Sequence, residues 1–244
     1  LIFRSFLIMS LLDFLSKLTL LDWIGLAWFL ACWMGFELIV DRGWVGSTRL
    51  HEETHKLRLE WGRAMVRREA RIVDSSLISN LLQSISFYAN TSIYIIGALF
   101  AALGALDQLI AAASELPFSP RVLSREAAEI KLLILIGVFI VAYFKFTWSL
   151  RQFNLLSITL GSAPQKVDEN EVEYYAQKFA AVNTCAGNDF NRGLRAYYFG
   201  MAVMSWMVSP WLFILTTIII VIVLARREFY SPVLKALVDT DKNR

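Results

Sequence analysis

The stretch LDWIGLAWFLACWMGFELIV, residues 21–40, decides the fold. It is apolar except at its ends, where Asp22 and Asp41 bracket it, and it is rich in tryptophan (Trp23, Trp28, Trp33). An α-helix rises about 1.5 Å per residue, so a run of this length matches the roughly 30 Å hydrocarbon core of a bilayer. Working outward, the same kind of run recurs. A second span is predicted from about Leu81 to Leu106, centred on Ile93–Leu103, and a third from about Ile130 to Leu150. The third ends in Tyr143, Phe144, Phe146 and Trp148. A fourth run, Ala196 to Ala225, holds Pro210 near its middle and is longer than the core needs, which predicts tilt, a kink or a break.

Composition agrees. A chain of 244 residues with 57% hydrophobic and 18% charged content is too apolar for an ordinary soluble domain. The formal charge of +3 is small, and the basic residues sit in blocks between the apolar runs. That pattern fits membrane topology and gives no basic face for nucleic acid. Cys32 lies in an apolar run and Cys185 in a polar stretch, so both are read as free thiols. The sequence starts at Leu1, and Met9 begins a natural-looking amino terminus; no cleavable signal peptide is expected.

The expected fold is therefore an all-α polytopic membrane protein. Residues 1–20 read as an amphipathic interfacial helix, with Phe3, Phe6, Leu7, Leu11, Phe14 and Leu15 set against Arg4, Ser10, Asp13 and Lys17. Residues 21–237 form a four-helix transmembrane domain, with spans about 21–40, 81–106, 130–150 and 196–225, and 238–244 a polar tail. The charged stretch 41–80 has no proline, and from His51 onward it predicts a helix that continues unbroken into the second span. Pro117 and Pro120 mark a loop, and Asp168 to Phe179 should form a short helix. The segments 41–80 and 151–195 fall on one side and carry thirteen lysines and arginines, which places them in the cytoplasm of a bacterial inner membrane.

Three motifs mix charged, aromatic and amide residues in a fixed order. They are Phe144-Lys145-Phe146-Thr147-Trp148-Ser149-Leu150-Arg151-Gln152-Phe153-Asn154, Phe190-Asn191-Arg192-Gly193-Leu194-Arg195-Ala196-Tyr197-Tyr198-Phe199, and the entry from Arg71-Ile72-Val73-Asp74 to Asn80-Leu81-Leu82-Gln83-Ser84. With them the chain resembles the domain-of-unknown-function 599 family of bacterial and plant integral membrane proteins, from about Asp22 to Leu237. The resemblance implies a membrane protein and no particular activity.

Two features invite chemistry. His51-Glu52-Glu53-Thr54-His55 reads as H-E-x-x-H, in which two imidazoles one turn apart hold zinc and Glu52 activates its water. No third histidine exists, and Glu53 and Lys56 mark a solvated helix, so no metal, cofactor or catalytic set is expected there. The second feature is a polar band at one membrane face. It comprises Asn80, Gln83 and Ser84 where span two enters the bilayer, Lys145, Arg151, Gln152 and Asn154 where span three leaves it, and Arg192, Arg195 and Tyr198 where span four begins. Polar groups at that depth are costly unless paired, so the band is either a ligand- or partner-binding site or interhelical hydrogen bonding. Asp74, Glu69 and Asp189 are available to pair its arginines, and no charge is read deep in any span.

The favoured function is a non-catalytic accessory or structural subunit of a larger membrane complex, in contact with the bilayer and with other membrane subunits or a second copy. The alternatives are a small-solute or ion transporter or channel, and a zinc metallopeptidase.

Overall fold

The computed structural model describes residues 17–42, 50–114 and 124–242. Among the described residues the chain is all-α, without strands. The helices are α1 (Leu20–Arg42), α2 (Leu50–Arg67), α3 (Ile72–Gly104), α4 (Leu106–Ser114), α5 (Arg125–Ser162), α6 (Glu169–Trp206), α7 (Pro210–Phe229) and α8 (Pro232–Lys242). Three of them are long and apolar enough to cross a membrane: Leu20–Asp41, Ile72–Gly104 and Arg125–Ser162. The amphipathic segment read over 1–20 lies, up to residue 16, outside the described residues, as do Pro117 and Pro120. Both cysteines are free.

Several boundaries differ from the expectation, each for a local reason. The helix predicted to run unbroken from His51 through the second span stops at Arg67 and restarts at Ile72. Trp61 Nε1 donates to Asp74 Oδ1 at 2.7 Å, whereas thirteen residues of continuous helix would hold them roughly 20 Å apart. The turn brings Trp61 and Arg68 to one oxygen of this carboxylate. The short helix expected over 168–179 is the beginning of α6, which continues without interruption to Trp206. The fourth apolar run is broken before Pro210, one of the outcomes its length and proline predict. Ser209 Oγ accepts from the backbone N–H of Trp211 at 3.2 Å and of Leu212 at 3.5 Å, and Pro210 takes the first helical position of α7. A proline there gives up only an N–H that has no helical partner. Ser231 and Pro232 repeat the device, with Ser231 Oγ accepting from Leu234 N at 3.1 Å, so the supposed polar tail belongs in part to α8.

The chain divides into two compact units, to both of which α3, α5, α6 and α7 contribute segments. The first comprises α1, α4, the segments Tyr94–Ile140 and Ala196–Ile222. Its core is aromatic: Phe29 meets Trp33, Phe199 and Phe213 with ring centroids 5.3–5.6 Å apart, and Trp206 stacks on Phe213 at 4.8 Å. A smaller cluster of Leu106, Ala128 and Leu132 is covered by Leu99, Leu103, Ile110 and Met207. Within this apolar setting sits a buried ion pair. Asp22 Oδ1 accepts from Trp206 Nε1 at 2.7 Å and lies 3.2 Å from Lys131 Nζ, while Lys131 also donates to the Trp206 carbonyl at 3.2 Å. Asp22 Oδ2 accepts from Thr19 N and Oγ1, and Asp22 N donates to Thr19 Oγ1, a reciprocal cap on the start of α1.

The second unit comprises Gly43–Ile93, Val141–Arg195 and Val223–Arg244. Here α2 runs antiparallel to α6. Arg67 pairs with Glu169, Arg63 with Glu173 at 2.8 Å, Trp61 packs on Phe179 at 5.1 Å, and His55 Nδ1 meets Thr184 Oγ1 at 2.9 Å. The two backbones touch at Gly62, where a Cβ would stand 2.8 Å from the Ala176 carbonyl oxygen and 3.0 Å from its Cα. Elsewhere in the unit Phe146, Tyr88 and Phe190 pack ring on ring, and a Cβ on Gly193 would strike the Phe146 ring at 2.5 Å. Arg71 closes the end of α5 by donating to the carbonyls of Leu160, Ala163 and Pro164 at 3.3, 2.5 and 2.5 Å.

Two outcomes follow for stability. Gly62→Ala forces α2 away from α6 and should lower unfolding stability in detergent by about 1–3 kcal/mol. Asp22→Ala strands the Lys131 ammonium in an apolar core and should cost about 3–5 kcal/mol. Lys131→Met added to Asp22→Ala should recover part of that loss, a coupling that a double-mutant cycle measures.

Candidate functional site

The sequence band resolves into one cluster and several separate residues. Asp189, on α6 and 6% exposed, is its centre. Gln152 Nε2 from α5 donates to Oδ2 at 2.6 Å, Arg192 Nη1 donates to Oδ1 at 3.2 Å, and Lys145 Nζ lies 3.5 Å from Oδ1. One turn away, Ser149 Oγ donates to the Ala186 carbonyl at 2.7 Å. Three members of the band, Lys145, Gln152 and Arg192, are thus gathered on a carboxylate. Helical spacing explains the gathering: Lys145, Ser149 and Gln152 lie along one stripe of α5, and Ala186, Asp189 and Arg192–Gly193 along one stripe of α6. Gly193 admits the Phe146 ring and so lets the two stripes meet.

The other members lie elsewhere. Arg151 is exposed and rests over the Trp148 ring at 5.4 Å, facing away from Asp189's stripe. Asn154 is exposed. Arg195 is buried and engaged, and Tyr198 is half-buried, engaged, and part of the other unit. Asn80, Gln83 and Ser84 are exposed on α3, with Ser84 Oγ donating to its own helix at the Asn80 carbonyl, 3.0 Å away. Of the carboxylates available to the band's arginines, Asp189 pairs Arg192, and Asp74 accepts from Arg68 Nη1 at 2.6 Å as well as from Trp61.

Sequence reading missed two charges inside its spans. Lys131, 4% exposed, falls in the predicted third span, and Glu37 in the first, where it accepts from Trp33 Nε1 at 3.1 Å. A lysine flanked by apolar residues was the available signal for the first, and the i, i+4 spacing for the second.

In the H-E-x-x-H segment, Glu52 is exposed, Glu53 is buried against Lys56 at 2.7 Å, and His55 is held by Thr184. The His51 side chain lies outside the described residues. Among the described residues no three of His, Cys, Asp and Glu converge as metal ligands. The chemistry on offer in this part of the molecule is ionic. The hydrogen bond from Arg63, then that from Gln177, holds the Glu173 carboxyl below its ordinary value, with Arg67 adding charge attraction. Because the folded value is depressed, this contribution is present above the ordinary carboxylate range and lost as pH falls through the lowered value. The pair is open to solvent, so the effect is small. Glu173→Gln should lower the melting temperature slightly at neutral pH, and the difference from wild type should vanish as the medium is acidified.

No curated protein and no solved structure matches the chain. A family profile, "Protein of unknown function, DUF599", matches residues 24–233, which contain the Asp189 cluster, the α2–α6 pair, most of α1 and the whole of α3 and α5. On that match over most of its length, the chain belongs to the DUF599 family.

Proposed function

We propose that the protein is a non-catalytic subunit that builds a larger membrane assembly through the exposed stripe of α3. The observation that carries this reading is Asn90. Its amide stands exposed on a helix long and apolar enough to cross a membrane. Gln83, Phe87 and Asn90 fall at spacings of four and three along the same face, all exposed, with Asn80 one turn earlier. Hydrocarbon offers an amide nothing to bond, so such a group in a membrane helix is best covered by another protein's polar side chains. Only 17% of the most apolar window of α3 is buried within the chain, against 22% for α1 and 56% for α5, so α3 offers a partner more surface than α5 does. A second copy of the chain and a different membrane subunit both fit that surface.

In this reading the last part of α6 crosses the membrane to bring Trp206 against Asp22 and Lys131, at the starts of α1 and α5, and the next crossing back is α7. It is 20 residues long, has no charged residue before Arg226, and ends in Arg226 and Arg227. At about 1.5 Å per residue it reaches roughly 30 Å. The segments 41–80 and 151–195 then face the cytoplasm of a bacterial inner membrane, as their lysines and arginines favour.

Site-specific photocrosslinkers at Gln83, Phe87 and Asn90 should join the protein to one partner of defined mass in native membranes. Crosslinkers at Ile85 and Ala89, which are buried, should not. Gln83→Leu with Asn90→Leu should weaken the association about tenfold, from interhelical hydrogen bonds worth about 0.6–2 kcal/mol each. A protein that stays monomeric in mild detergent and yields no discrete crosslink rules the proposal out.

A further inference from the structure

The geometry points to a binding site for a phosphate or similar oxyanion on the α2–α6 pair, built from Arg58, Asn183 and Gly187. It is distinct from the α3 surface and does not depend on it.

Arg58 is the cation of α2 that is not spent on a neighbour. Arg63 and Arg67 are bonded to Glu173 and Glu169, and Lys56 to Glu53. Arg58 has no hydrogen-bond or ion-pair partner among the described residues, although it is half-buried. Burial alone holds its guanidinium below the ordinary value, with no carboxylate opposing the shift. A buried charge without a counter-charge costs several kcal/mol, so a site that keeps one is suited to an anion supplied from outside.

The guanidinium is fixed in place by what it lies on. A Cβ on Gly187 would meet it directly, with Cζ 3.0 Å and Nη1 3.5 Å away, so the glycine provides the seat. Side chains on a helix lean towards its amino end. The group occupying the Cβ position of Gly187 therefore sits over the preceding turn, which contains Asn183. Asn183 is 3% exposed, and its amide nitrogen is buried with no hydrogen-bond partner. A guanidinium and an amide N–H group, with no acid between them, make a donor-only cradle. A tetrahedral oxyanion, with acceptors on every side, complements it.

Two sources carry that group: free inorganic phosphate and the headgroup of an anionic lipid. The test uses the full chain, purified in a detergent with an uncharged headgroup. Thermal unfolding is followed against inorganic phosphate, and separately in phosphatidylcholine nanodiscs with and without phosphatidylglycerol. Stabilisation of the wild type by phosphate identifies the free anion, and stabilisation only by phosphatidylglycerol identifies the lipid. In whichever arm responds, Arg58→Gln should shift the half-saturation point upward about tenfold or more, the worth of charge-assisted hydrogen bonds. Arg63→Gln, on the same helix but paired, should leave it unchanged. Gly187→Ala, which evicts the guanidinium without removing it, should reproduce the Arg58→Gln shift and decides the matter if Arg58→Gln does not fold. A flat response in both arms, or equal responses from wild type and Gly187→Ala, overturns the assignment.

Discussion

A carboxylate taken out of water has to find donors, and the structure is organised by that demand. Asp22, Asp74 and Asp189 are each less than a tenth exposed, and each accepts from at least two donors on distant or reversed segments. Remove Asp74 and the turn at residues 68–71 loses the anchor shared by Trp61 and Arg68. Remove Asp189 and the stripes of α5 and α6 lose the residue that orders Lys145, Gln152 and Arg192. Around these points the aromatic packing supplies the bulk of the attraction without specifying which residue faces which.

This division explains what could be read in the sequence. Apolar runs are a local property, so α1, α3 and α5 were legible as membrane-length helices from residue composition alone. The break before α7 was also written locally, in Ser209-Pro210, and needed only to be taken as a cap and first helical residue instead of a kink. The turn after Arg67 was not legible. Arg68-Glu69-Ala70-Arg71 contains no proline or glycine, and the helix ends there because Trp61, Arg68 and Arg71 have partners that only the folded chain provides.

The polar band illustrates the same limit of local information. Its members were identified by residue type and depth, and three of them do converge on Asp189. Arg151, although adjacent in sequence to Gln152, points a different way, because consecutive helical residues are about 100° apart and cannot share a contact. The charged segment 50–67, read as a solvated helix, is instead half of an antiparallel pair that closes on Gly62. Its missing side chain is what allows the backbone of α6 so close.

The Asp22 contacts also set an order of events during synthesis. Thr19 lies three residues from Asp22 and can cap it as soon as α1 forms, whereas Trp206 is 184 residues further along the chain. The ribosome thus delivers the first membrane helix with its carboxylate only partly provided for, long before the ammonium of Lys131 or the indole of Trp206 exists. Until then Asp22 is best kept at the lipid–water boundary, where α1 begins. Its full burial waits until Trp206 has been made, and so records that synthesis has passed the end of α6.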